Sequence, residues 1–431
     1  MKASGGSVLC DDRYPTVDEV TASARSLAVR MPSLCRLRQV GRSRGGEPLW
    51  LLSIGHGRRN VLVVAGPHAN EMIGGATVVR LAERITTEQP RLLAAADASW
   101  HFLLCADPDG ARLNEAVPET EFTMLGHYRH FFRPCAAEQP EWLAADGRLN
   151  DALPETQALI RVIDELRPVL QVSLHGIDVG GSFVQLTHDI PRLAERIAKS
   201  AAEFDIPLEA GSSDAFHWPS PGPGVYVMPP PSRYRTREDA DHSTWTYAER
   251  YGGVTAIAEV PMWACDRAAD TSPHPAAGPA LCAAGDALRH GSQVVSRLIA
   301  EVRPHLADRD GGPLLRAAAE IAAVGPILAA DWDPSLRGSA APPLPPMTRA
   351  RVSSVEIYTQ RLPLRAASML LRFVRGIEPV PPLTELRGRL EHLVTDWCRA
   401  YETAHRARWI PVRHQAEQHA RAAIACFELL G

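Results

Sequence analysis

Along roughly the first 264 residues, runs of consecutive apolar positions alternate with stretches whose apolar residues recur at three and four. This is the pattern of buried strands separated by helices. Val61-Leu62-Val63-Val64-Ala65, Trp100 to Cys105, Val172-Ser173-Leu174 and Val254 to Ala258 are short and apolar, and read as core strands. Helices are predicted over Tyr14 to Arg30, with Thr16 as N-cap and Glu19 three residues on, over Ile73 to Ile85, and over 154–167 with proline in the first turn. The charged, glycine-rich segment Gly41 to Trp50 reads as a turn between two further strands.

Beyond about residue 268 the composition shifts toward alanine, arginine and leucine. Leu383, Leu386, Leu390, Leu393, Trp397 and Tyr401 mark the seam of an amphipathic helix, and another helix is predicted over Val412 to Leu430. The segment Arg337 to Pro346 reads as a linker within this region. The chain therefore divides into an α/β part, 1–268, and a helical part, 269–431. These helices are expected to pack on the first part or on each other, with a homo-oligomer formed through them as the alternative.

Candidate chemistry sits where the apolar runs stop. The first run leads into His68-Ala69-Asn70-Glu71, whose histidine and glutamate share a face if the backbone turns helical there. His175 follows another run and precedes Gly176, whose missing side chain lets a ligand approach. Two histidines and one glutamate form a catalytic zinc set that leaves one position open for water. Either signal alone is weak. A His-x-x-Glu spacing is usually a helix-face pair, and a histidine ending a strand is usually a hydrogen-bonded structural residue. Glu259 is delivered by the last core strand, where a glutamate is costly to bury unpaired; the alternative to a functional role is one half of a buried ion pair.

Taken in order, the segments resemble the zinc carboxypeptidase family over about residues 14 to 264. Tyr14 to Glu19 is similar to the family's opening Tyr-x-x-x-x-Glu helix, Gly41 to Pro48 to its Gly-x-Ser-x-x-Gly-x-Pro segment, and His68 to Glu71 to its His-x-x-Glu. Asp107 to Gly110 resembles its Asn-Pro-Asp-Gly turn, and Pro154-Glu155-Thr156 its Pro-Glu-Thr helix. His175 falls at its second zinc histidine, and Glu259-Val260-Pro261 at its general base. The resemblance implies an α/β fold with a mixed, mostly parallel eight-stranded sheet sandwiched by helices. It also implies one Zn2+ per chain, held by His68, Glu71 and His175, and a catalytic domain over 1–268.

By the same resemblance, Arg112 is the candidate to steady the oxyanion, with a solvated loop arginine as its alternative. Arg129 is the candidate to grip a C-terminal carboxylate, Arg133 is a second candidate for that role, and Tyr234 would cap the bound end. The family's Asp-Leu-Asn-Arg-Asn-Phe segment is replaced here by Gly126-His127-Tyr128-Arg129-His130-Phe131, which keeps the arginine but lacks both asparagines. Trp245 and Ser243 resemble its pocket-lining segment. The expected activity is a zinc peptidase removing a C-terminal residue from a peptide or peptide-like substrate. A zinc amidohydrolase acting on small N-acyl amino acids and a zinc-binding relative without turnover are the alternatives.

Composition narrows the setting. With 46 basic and 50 acidic residues the net charge is −4, which gives no reason to expect a nucleic-acid partner. No apolar run reaches the roughly 20 residues of a membrane helix and no signal-length core opens the chain, so no membrane partner is expected, and a cytoplasmic location is. The eight cysteines stand singly, as reduced thiols do. No pro-segment is recognisable ahead of Tyr14.

Overall fold

Thr16 and Glu19 start the first helix reciprocally: the Glu19 amide donates to Thr16 Oγ1 at 3.2 Å, and the Thr16 amide to the Glu19 carboxylate at 2.9 Å. The structure, a computed structural model, describes residues 13–431 apart from 95, 116–122, 144–150, 230–242, 307–310 and 339–342. After α1 (Val17–Arg30) come β1 (Cys35–Arg42), β2 (Pro48–Ile54), β3 (Arg59–Val64), α2 (Ile73–Glu83), α3 (Arg91–Ala94), β4 (Ala98–Leu103) and α4 (Pro108–Asn114). Then follow α5 (Met124–Arg129), α6 (Pro154–Leu166), β5 (Leu170–Gly180), β6 (Phe183–Leu186), α7 (Leu193–Glu203), β7 (Val225–Val227), α8 (Thr244–Tyr247) and β8 (Val254–Ala264). The rest is α9 (Ala277–Val302), α10 (Gly312–Trp332), α11 (Arg349–Arg375), α12 (Pro381–His405), the two-residue β9 (Arg408–Trp409) and α13 (Val412–Leu429).

The strands form one mixed sheet in the order β1-β2-β4-β3-β5-β8-β6-β7, with β9 pairing antiparallel to β8. Its centre, β4-β3-β5-β8, is parallel, whereas β2 runs against both β1 and β4, and β6 runs against β8 but parallel to β7. β5 and β8 are 11 residues each and almost wholly buried, because α2 and α11 pack on β5 and α13 on β8. Neither strand stops at its functional residue, as the sequence reading expected. Pairing continues to Gly180 and Ala264, and it sets His175 opposite Glu259 in register.

Three of the recognised segments interlock on the far side of β1. Ser43 Oγ and the Gly45 amide both donate to the Asp109 carboxylate at 2.7 Å, and the Arg44 amide donates to Glu155 at 2.9 Å. The absence of a side chain at Gly45 lets the turn close on this carboxylate, since a Cβ there would come within 2.6 Å of Asp109 Oδ1. These motifs therefore brace the turns around the sheet.

Among the described residues from 269 onward, the elements are helices apart from β9. Its last helix shares the core of β3, β4 and β5: Phe427 meets Trp100 edge to face, with ring centres 5.3 Å apart. The 21 residues of α10 are long and apolar enough to cross a membrane by length and composition. Arg316 and Glu320 interrupt its apolar run. In the fold it lies against α9 and α11 through Leu315, Ala318 and Ala322. The seven described cysteines are all free thiols.

Candidate metal centre and active-site cavity

His68 and Glu71 lie in a turn between β3 and α2, closed by the Glu71 amide donating to the His68 carbonyl at 3.0 Å. This turn places the Glu71 carboxylate between the two imidazoles. Oε1 is 3.0 Å from His68 Nδ1 and Oε2 is 3.1 Å from His175 Nδ1. The rings stand 4.6 Å apart at 80°. Gly176 serves this contact: its amide donates to Glu71 Oε2 at 3.2 Å, and a Cβ there would crowd Ile73 at the same distance.

A second carboxylate, which the sequence reading did not single out, lies behind the rings. Glu141 Oε2 is 3.0 Å from His175 Nε2 and 3.9 Å from His68 Nε2, while Ser173 Oγ donates to Glu141 Oε1 at 2.5 Å. Side chains of His68, Glu141 and His175 come within 4.8 Å of one another, so by proximity alone Glu141 competes with Glu71 as the acidic ligand. Glu71 and Glu141 differ in their access to the cavity. An opening of about 320 Å³ is lined by His68, Glu71, His175 and Glu259, whereas Glu141 is fully buried and does not reach it. A histidine that ligates a metal usually gives its other ring N–H to a carboxylate, which is the place Glu141 occupies. Nothing in its surroundings, Gln139-Pro140-Glu141-Trp142, sets Glu141 apart by pattern.

The donor set fits zinc. Two Nδ1 atoms and a carboxylate face one space, and buried Nε2 of His68 has no hydrogen-bond partner. Burial and the nearby Arg133 charge hold His68 down at about 4, against the pull of Glu71. Burial opposes ionisation of Glu71, but the two imidazoles outweigh it and keep the carboxyl well below its usual range. Glu259 projects from β8 with Oε1 at 3.8 Å from His175 Nδ1, and its Oε2 is buried without a partner. Burial lifts its pKa well above the carboxylate range; the Glu71 and Asp214 charges add to the rise and His175 opposes it.

The arginines divide. Arg133 reaches the site, donating from Nη1 to Glu71 at 2.8 Å and to Asn70 at 3.3 Å. Arg112 does not reach it: Asp18 and Glu47 hold its guanidinium at 2.8 and 3.1 Å on a partly exposed surface, away from the cavity lining. Arg129 does not reach it either. Its segment folds as α5, which turns His127 and Tyr128 inward and leaves Arg129 facing α12, where burial lifts the Cys398 thiol to about 12 and the Arg129 charge opposes. Tyr234 lies outside the described residues. Trp245 lines the cavity as expected, its ring 6.0 Å from that of His175.

Part of the wall was not anticipated. Tyr358, Arg361 and Arg365, one turn apart on α11, reach the cavity from the helical region. In the fold these two arginines stand on the buried face of the helix, among Ile357, Leu364 and Met369.

Residues 20–184 match the family model for zinc carboxypeptidase. Murein peptide amidase A of Escherichia coli K12 is 30% identical over 145 residues, which is 31% of this chain and 57% of that protein. The chain thus spans little more than half the length of the curated relatives it matches. Among solved structures, a metallo-carboxypeptidase from Burkholderia cenocepacia aligns at 18% identity over 56% of this chain and 59% of its own, with a TM-score of 0.37. Carboxypeptidase A from Helicoverpa armigera aligns at 15% identity over 58% and 65%, with a TM-score of 0.40. Residues 20–184 thus carry the zinc carboxypeptidase family's pattern, with His68, Glu71 and His175 inside the match, and Glu259 and Arg361 beyond it.

Proposed function

We propose that this protein is a zinc-dependent hydrolase of peptide bonds that removes a C-terminal residue. The observation that carries the reading is the pairing of His175 with Glu259 across β5 and β8, with Glu71 bridging His175 to His68. His68, Glu71 and His175 would hold the ion. Zinc bound there supplies an acidified water and polarises the scissile carbonyl.

The chain's own residues do the rest. Glu259, on the cavity side of His175, takes a proton from the attacking water and passes it to the leaving amine. Arg133, the cation beside Glu71, faces the charge that develops on the carbonyl oxygen, the role the sequence reading gave to Arg112. Glu141 and Ser173 hold the His175 ring from behind, so that its Nδ1 stays turned toward the cavity.

A second reading is favoured by the match to a murein peptide amidase: cleavage of an amide within a peptide-like molecule, without need of a terminal carboxylate. One assay separates the two. Peptide pairs with free and amidated C-termini are incubated with protein of measured zinc content, and products are read by mass spectrometry. One zinc per chain, loss of hydrolysis on chelation and a strong preference for free ends support the first reading. Equal rates on both ends support the second, and full activity without metal overturns both.

A further inference from the structure

The helical region supplies a charge that the cavity lacks a partner for. Arg361 is only 7% exposed, yet its Nε has no hydrogen-bond acceptor, and no carboxylate among the described residues forms an ion pair with it. Its neighbours are engaged: Arg365 is held by Asp178 at 2.8 Å, and Arg133 by Glu71. Tyr358, one turn earlier on α11, stacks near the Arg361 guanidinium at 5.5 Å and lines the same opening. Asp178 and Glu209 act on it only from beyond ion-pair distance, and a guanidinium desolvated without a contacting anion is unfavourable, since such groups are almost never buried unless paired. An arginine kept in this condition, facing the opening that also holds Glu259 and the two histidines, is arranged for an anion that arrives from outside. A planar carboxylate matches its fork.

The geometry points to Arg361 as the residue that anchors a free carboxylate of the substrate, so that α11 completes an active site whose metal side belongs to the sheet. The assignment rests on the peptidase reading for its choice of ligand and gives the anchoring role expected of Arg129 to a residue outside the matched segment. It also gives the helical region a direct part in substrate binding.

The test reads binding without turnover. Full-length, zinc-loaded protein is titrated with a panel of phenyl-substituted and alkyl carboxylic acids of increasing length and with their primary amides. Occupancy is followed by the fluorescence of Trp142, Trp218 and Trp245, which line the cavity. In the unsubstituted protein at least one acid is expected to bind ten-fold or more tightly than its amide. Arg361→Gln is expected to abolish that difference, Arg361→Lys to restore part of it, and Arg129→Gln to leave it unchanged, with zinc content equal in all. Retention of acid selectivity by folded Arg361→Gln, or no selectivity in the unsubstituted protein, overturns the assignment. Should acid selectivity follow Arg361 while no peptide is cleaved, the peptidase reading fails and the anchor stands.

Discussion

Arg365 on α11 grips Asp178 on β5 through two hydrogen bonds, Nε to Oδ2 at 3.1 Å and Nη2 to Oδ1 at 2.8 Å, with both side chains buried. Tyr128 adds a third contact, donating to Asp178 Oδ2 at 2.7 Å. This pair fastens the helical region to the strand that carries His175. Removing one partner strands the other charge in the interior, so Asp178→Asn or Arg365→Met is expected to cost about 3–5 kcal/mol in denaturant unfolding. A change below about 1 kcal/mol would show that the pair is not holding the two parts together. The pair should also weaken in acid. The Arg365 charge holds Asp178 below its usual range against burial, so its contribution is complete above the ordinary aspartate value near 4 and is lost as pH falls toward the lower native value.

Glu209 predicts a slope of the opposite sign. Burial raises its carboxyl to about 8 from an ordinary value of 4.5, with Asp214 adding to the rise and the Gly181 amide opposing it. The folded protein therefore keeps a proton that the unfolded chain releases, and stability is complete below about 4.5 and declines as pH rises toward 8. Glu209→Gln should flatten that decline and gain on the order of a few kcal/mol at pH 8.5. Thermal unfolding of both proteins at pH 5 and pH 8.5 checks this, and parallel losses in the two would contradict it.

Glu71 and Glu141 separate by metal affinity. As a carboxylate that orients the histidines, Glu141 should cost about 10–100-fold in zinc affinity when changed to glutamine. Glu71→Gln, which removes a ligand, should cost more. Competition with a metal indicator measures both, and the reverse ranking would make Glu141 the ligand.

Glu259→Gln should lower turnover by about 10²–10⁴-fold, the usual worth of a positioned acid-base group. Zinc content should stay unchanged, since Glu259 stands beside the proposed ligand set. A variant that keeps near-normal turnover would leave Glu259 with only a structural role.

Much of the central sheet could be read from the chain because buried parallel strands need unbroken apolar residues, and Val61 to Ala65 or Val254 to Ala258 have no other stable use. Helix starts were equally local: Thr16 and Glu19 form their box from residues three apart. His68, Glu71, His175 and Glu259 were found for a related reason, since each is a polar group at or just beyond an apolar run. The lengths of β5 and β8 were not legible, because Asp178 and Pro261 read as strand ends until partners on both sides carry the pairing past them.

Sequence by itself determined which segments become strands and helices and which four side chains carry the proposed chemistry, because periodicity, capping and burial of apolar runs act over a few residues. Only the tertiary structure decided which cations attend them. Arg112 ends a short helix and Arg133 stands in a loop, and nothing near either in the chain says that two carboxylates hold the first on the surface while Glu71 draws in the second. Glu141 and Arg361 became visible only when strands and helices far apart in sequence met, since a buried charge is defined by what surrounds it in space.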